Sequence, residues 1–277
     1  MFICWGTGRN GKSTFLEVLR HVIGTYGKQA SMATFLAKKS DEGIPNDLAA
    51  LQGARFVTGI ETEDGKRLAE AKIKLITGGD TVTARFLHRE FFEFSPQFKI
   101  WMATNYRPVI HGTDEVIWRR IRLIPFTVYI PDGKMDEKLR EKLISESSGI
   151  LNWALQGLED FKLGGLMEPE GVSKATEDYR AAEDWLGRFM ESETVQDVNA
   201  TTQARALYER HKSWTKDTNE FVMKERRFNE AMDDHGYQHT KRDNKKLYTG
   251  FRPRDRMEKF SEKLGQPETV PDDVDVL

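Results

Sequence analysis

The chain has 277 residues, 38% of them hydrophobic and 31% charged, enough to bury a sizeable core in one large domain or in a medium domain with a smaller companion. A formal charge of −2 excludes a protein that coats polyanions wholesale, so any nucleic-acid contact has to come from local basic patches. The single cysteine, Cys4, excludes an internal disulfide and a thiol cluster for a metal and fits a reducing cytoplasmic compartment; no apolar run approaches the ~20 residues that cross a bilayer, and the first residues do not read as a secretory leader.

In chain order, Met1-Phe2-Ile3-Cys4-Trp5 reads as a short buried strand, the glycine-rich stretch after it as a loop, and Ser13 to Tyr26 as a helix with Phe15, Leu16, Leu19, Val22 and Ile23 at helical spacing. A strand at the first residue suits a core already under way, and a preceding segment is expected. Arg55 to Ile60, Lys99 to Thr104 and Arg122 to Val128 read as further buried strands, and their alternation with helices or loops predicts an α/β sheet. After Pro131-Asp132-Gly133 the pattern turns helical, from Met135 to Phe161 and, past Gly164-Gly165 and Pro169, from Ser173 to Ser192. From Thr201 a new unit is expected: helices from Ala204 to Trp214 and from Lys224 to His235, then a basic two-strand pattern ending at Tyr248. The tail from Gln266 holds too little apolar content to pack and is expected to be disordered.

The residues Gly6-Thr7-Gly8-Arg9-Asn10-Gly11-Lys12-Ser13 have the G-x-x-x-x-G-K-S spacing of a phosphate-binding loop. Glycines let backbone N–H groups wrap phosphates, and the following helix points its positive end at them. Lys12 is then placed for the β and γ phosphates of ATP and Ser13 for Mg²⁺, with Thr14 continuing the helix. Glu61 ends an apolar strand, where a carboxylate can hold the metal shell and orient the attacking water, and Glu63 lies two residues on; a solvated strand end is the plain alternative. Asn105 closes another apolar strand, where its amide suits a γ-phosphate or the hydrolytic water, with a turn before Pro108 as the competitor. Trp118-Arg119-Arg120-Ile121-Arg122 concentrates guanidinium groups suited to transition-state charge, or simply to the surface.

Taken in order, these pieces resemble the superfamily 3 helicase domain of phage and plasmid primase-helicases, the poxvirus-type and satellite-phage-type group within the AAA+ ATPases. Gly6 to Ser13 matches Walker A, Glu61-Thr62-Glu63 the end of Walker B, Lys74 to Asp80 the motif between Walker B and sensor 1, Thr104-Asn105 sensor 1, and Trp118 to Phe126 the arginine-finger segment. The resemblance implies a homo-hexameric ring with ATP hydrolysed between subunits, Arg120 as the finger with Arg119 and Arg122 as alternatives, and Arg85, His88 and Arg89 on a hairpin facing single-stranded DNA in the channel. It also implies phage- or plasmid-encoded replication in a bacterial cytoplasm. Two departures stand out: the usual pair of adjacent Walker B acids appears as Ile60-Glu61, and the family's helical collar and primase regions are not in this sequence, so a separate primase partner or a longer gene product is expected.

The carboxy-terminal unit resembles a winged helix less specifically. Lys241, Arg242, Lys245 and Lys246 lie among aromatic residues in a mixture suited to the phosphates of duplex DNA, against a solvated basic face as the alternative. The expected architecture is α/β: an AAA+-like P-loop NTPase sheet with flanking helices over residues 1–132, a helical region over 133–200, a small winged-helix-like α+β unit over 201–260 and an acidic tail over 261–277. The leading functional expectation is an ATP-dependent DNA helicase; the other is a nucleotide-switched DNA-binding regulator with weak or no motor activity.

Overall fold

The computed structural model describes residues 1–37, 46–61, 63–110, 115–218, 222–255 and 258; the expected acidic tail lies outside the described residues. The chain divides into two compact units, Met1–Glu183 and Asp184–Leu277. The first unit contains β1 (Phe2–Trp5), α1 (Lys12–Ile23), β2 (Gly27–Gln29), α2 (Asn46–Ala49), β3 (Phe56–Glu61), α3 (Glu70–Thr77), β4 (Val82–Ala84), β5 (Phe92–Phe94), β6 (Lys99–Thr104), α4 (Glu115–Trp118), β7 (Arg122–Pro125), α5 (Leu139–Ser145), α6 (Ser147–Gly164) and α7 (Glu170–Glu183). The second contains α8 (Trp185–Glu193), β8 (Thr194–Gln203), α9 (Ala204–Asp217), α10 (Glu225–Asp234), β9 (His239–Arg242) and β10 (Lys245–Pro253).

The first unit is built on a five-stranded sheet in the order β2-β3-β6-β1-β7, every neighbouring pair parallel. Successive side chains on a strand face opposite ways, and both faces of this sheet are covered, so its central strands β3, β6 and β1 are largely apolar. Ile3, Val57, Ile100, Met102 and Leu123 point into one core together with Ile73, Ile76, Trp118 and Tyr179. Their neighbours Cys4, Phe56 and Ala103 point into the other, against Leu16 of α1. Leu123 is fully buried, and Leu123→Ala is expected to cost about 2–5 kcal/mol, read as a shift in denaturation midpoint without a change in slope.

Several elements differ from the periodicity. The helix expected from Met135 to Phe161 is interrupted at Glu146, where the Ser147 hydroxyl donates back to the Ile144 carbonyl and competes with helical bonding. The helix expected from Ser173 to Ser192 divides at Asp184, whose carboxylate accepts from the Gly187 N–H at 2.8 Å and starts α8 as an N-cap. The second unit therefore begins at Asp184, ahead of the 200/201 boundary read from the sequence. The strand expected to reach Val128 ends at Pro125 on the edge of the sheet, with one further bond from the Phe126 N–H to the Trp5 carbonyl.

In the second unit the sheet order is β8-β10-β9, antiparallel throughout. Asp243 and Asn244 take φ of 49° and 59° between β9 and β10, the turn geometry that suits a two-residue hairpin. Leu207, Phe189, Phe228, Met232 and Tyr248 are fully buried in its core.

Candidate functional site

In a parallel sheet ligands gather at the carboxyl ends of the strands, and the register brings three of the expected site segments there. Trp5, the last residue of β1, pairs with Thr104 of β6, and Glu61, the last residue of β3, pairs with the same Thr104 from the other side. The loop from Gly6, the end of β3 and Asn105 thus leave the sheet side by side. Together they border an open cleft of about 350 Å³ lined by Gly8, Arg9, Asn10, Gly11, Lys12, Ser13, Thr14, Ile60 and Asn105, among others.

The loop's backbone explains its glycines. Gly8 and Gly11 take φ of 92° and 82°, in the left-handed region, and Arg9 is held there too at 48°. At Gly6 the reason is space: a Cβ would come within 2.2 Å of the Phe126 carbonyl oxygen. The Gly6 N–H donates to the Thr104 carbonyl at 3.3 Å, fixing the loop to β6, and the Phe15 N–H donates to the Gly11 carbonyl at 2.9 Å, closing the first turn of α1.

Lys12 is buried beneath the loop, and its ammonium donates to the Gly6 carbonyl at 2.6 Å, the Asn10 Oδ1 at 3.0 Å and the Asn105 Oδ1 at 3.4 Å. Burial pushes its pKa below the ordinary lysine value. Its charge is met by three neutral oxygens, an arrangement that suits a bound anion. Behind it, burial pushes the Cys4 thiol up to about 12, which keeps that group neutral and unreactive. Ser13 and Thr7 are exposed, and Gly6 is buried.

Glu61 is placed by its backbone at the end of β3; its carboxylate lies outside the described atoms. Glu63, the other candidate, forms an ion pair with Lys66 at 2.6 Å. Arg9, which lines the cleft, forms an ion pair with Asp132, and its guanidinium also donates to the Tyr129 hydroxyl at 3.2 Å.

The basic segment is elsewhere. Arg120 precedes β7, whose first residue Arg122 pairs with Phe2 at the start of β1, so it lies at the amino edge of the sheet, opposite the loop. The length of β1, roughly 10 Å for four residues, separates the two ends. Arg120 donates to the Val116 carbonyl at 2.8 Å, Arg119 pairs with Glu115 at 3.0 Å and Arg122 with Glu168 at 2.8 Å. Arg85, His88 and Arg89 lie on the connection between β4 and β5, which pair as an antiparallel hairpin with Thr83 opposite Glu93. Sequence reasoning passed over the aromatic residues there: Phe86 and Phe91 are exposed, and the Arg85 guanidinium sits 4.5 Å above the Phe91 ring. It also passed over Arg107, which lies 4.3 Å above the Trp5 ring just beyond Asn105. In the second unit Lys241, Arg242 and Lys245 are exposed on β9 and β10, whereas Lys246 is held by both oxygens of Asp233 at 2.7 Å.

A protein-family model described as "Family of unknown function (DUF5906)" matches residues 4–120, which span the phosphate loop, Glu61, the β4–β5 hairpin, Asn105 and Arg120. Among known proteins, "Putative helicase L207/L206" of Acanthamoeba polyphaga mimivirus is 27% identical over 237 residues, covering 78% of this chain and 24% of that protein. "Putative helicase 022R" of Frog virus 3 is 25% identical over 231 residues (76% and 24%), and "Putative primase C962R" of African swine fever virus is 24% identical over 221 residues (73% and 23%). The chain spans about a quarter of the length of these relatives. A solved structure titled "The A form apo structure of NrS-1 C terminal region-CTR" overlays with a TM-score of 0.47 at 11% identity, covering 90% of this chain and 66% of that one, a likeness too low to establish a common fold. The motifs and the relatives agree: over about three quarters of its length the chain is similar to proteins named as helicases and primases of large DNA viruses, in keeping with a primase-helicase of the superfamily 3 type.

Proposed function

We propose that this chain is the ATP-hydrolysing motor part of a replication helicase, in which a ring of identical subunits draws DNA through its centre. The observation that carries the proposal is the convergence at one sheet edge of the glycine loop with its buried Lys12, the end of β3 at Glu61, and Asn105 after β6.

The donor set fits a nucleoside triphosphate. The loop from Gly8 to Ser13 lines the cleft at a helix N-terminus, and the Lys12 ammonium exchanges its neutral oxygens for the β and γ phosphates. The Ser13 hydroxyl and the Glu61 carboxylate are the groups that would hold Mg²⁺, which when bound neutralises charge on the phosphates. Glu61 also orients the attacking water and receives its proton, and Asn105 positions that water or the γ-phosphate. The water oxygen bonds to the γ-phosphorus as the bond to the bridging oxygen breaks, giving ADP and phosphate. The distance between Arg120 and its own loop favours a neighbouring subunit as the source of the finger, and the resemblance to superfamily 3 helicases makes a homo-hexamer the proposed assembly.

For DNA, the exposed His88 and Arg89 with Arg85 on the β4–β5 hairpin suit a single strand. In the second unit the order α8-β8-α9-α10-β9-β10 supports the winged-helix-like assignment, with residues 184–255 as its extent. Lys241, Arg242 and Lys245 are the proposed duplex-backbone contacts, with Lys246 orienting the hairpin through Asp233. The primase partner belongs to the same proposal; no primer synthesis is assigned to this chain.

Steady-state ATP turnover with and without single-stranded DNA tests the reading. Turnover that rises severalfold with DNA is expected of a motor. Turnover indifferent to DNA at saturating nucleotide would favour a nucleotide-switched DNA-binding regulator.

A further inference from the structure

We infer that residues 126–132, the segment leaving β7, form the nucleobase subsite of the nucleotide cleft, with the ring of Tyr129 as the platform on which the base of a nucleoside triphosphate stacks. The inference rests on the phosphate-loop reading above and extends it from the phosphates to the nucleoside.

The sheet order sets the direction in which a bound nucleotide runs. β1 has β6 and β3 on one side and β7 on the other. The polar groups that suit the terminal phosphate, Glu61 after β3 and Asn105 after β6, both lie on the first side. A triphosphate held in the loop with its γ-phosphate toward them carries its nucleoside the opposite way, over the carboxyl end of β7. There residues 126–132 run along the loop as a fixed wall. The Phe126 N–H donates to the Trp5 carbonyl at 2.7 Å, the Asn10 amide donates to the Phe126 carbonyl at 2.9 Å, and the Ile130 N–H donates to the Arg9 carbonyl at 2.8 Å. The Arg9 guanidinium adds the Asp132 ion pair and the 3.2 Å bond to the Tyr129 hydroxyl.

The wall presents apolar surface outward. Val128 is 72% exposed and Tyr129 is 58% exposed, although both sit in a segment bonded to the phosphate loop. Arg9 lines the cleft and bonds the Tyr129 hydroxyl, so the edge of the ring is pinned to a residue of the cleft and its surface is left for stacking. A base has a π-face that such a ring accepts whatever its hydrogen-bonding edge, so the subsite binds a base without strongly choosing which one.

The test uses the full chain and two probes, ATP and inorganic tripolyphosphate, each displacing a fluorescent nucleotide at equilibrium. Wild type is expected to bind ATP more tightly than tripolyphosphate. Tyr129→Ala is expected to weaken ATP by roughly tenfold, the scale of one base–aromatic stack, while tripolyphosphate affinity stays within about twofold. Tyr129→Phe, which keeps the ring and loses the bond to Arg9, is expected to retain the preference for ATP. If Tyr129→Ala leaves ATP binding unchanged, or weakens both probes alike, the subsite assignment is overturned while the phosphate loop stands. If wild type binds neither probe, the phosphate-loop reading falls and takes this inference with it.

Discussion

Lys12→Ala is expected to lower ATP turnover by roughly a hundredfold to a thousandfold, the cost of removing one preorganised donor from developing phosphoryl charge. The ammonium is buried under the loop and held by Gly6, Asn10 and Asn105, so its place is set before any nucleotide arrives. Burial pushes its pKa down, and a bound polyanion beside it would favour the charged form. Nucleotide affinity should therefore fall together with turnover, measured by equilibrium binding and steady-state hydrolysis on the same preparation. Full turnover in this variant would sink the site assignment.

Glu61→Gln is expected to keep nucleotide binding and to slow hydrolysis by roughly two orders of magnitude or more, the range for loss of a general base. The amide preserves the shape at the end of β3 and removes the charge that polarises water. Glu63 is the internal control: its ion pair with Lys66 predicts a small effect for Glu63→Gln. If Glu63→Gln proves the more damaging change in single-turnover hydrolysis, the carboxylate roles are exchanged.

How much of this was legible in the sequence depends on the range of the interactions. The β1, loop and α1 succession is written locally, in glycines at left-handed positions and in Leu16 and Leu19 at helical spacing, and it is found where the spacing put it. The β3 and β6 strands are apolar because both faces of the sheet are covered, and that too reads directly. The strand β8 was missed: Thr194 to Gln203 is largely polar, with Val198 87% exposed, and it is a strand because β10 pairs with it. The break at Asp184 was missed because an N-cap inside a helical pattern looks like any exposed aspartate. At the site, loop residues were legible but their partners were not. Nothing in the spacing says that Arg9 finds Asp132, that Asn10 holds the Phe126 carbonyl, or that Lys246 is occupied by Asp233, since each depends on chain folded back from a distance. The β4–β5 hairpin came from the motif order, and its exposed Phe86 and Phe91 emerged only with the fold.

On the proposed reading, a second copy of the chain completes the ATP site. Arg120 lies at the amino edge of the sheet while the phosphate loop lies at the carboxyl edge, a separation that favours their supply to one nucleotide by different subunits. The direct measurement mixes Arg120→Ala protein with Lys12→Ala protein, each expected to be nearly inactive alone, and follows ATP turnover across mixing ratios while mixed assembly is shown by cross-linking of differently tagged chains. The account predicts that turnover reappears, greatest near equal amounts, from interfaces that join the intact Lys12 of one copy to the intact Arg120 of the next. Mixed assemblies with no more turnover than either variant alone would contradict it.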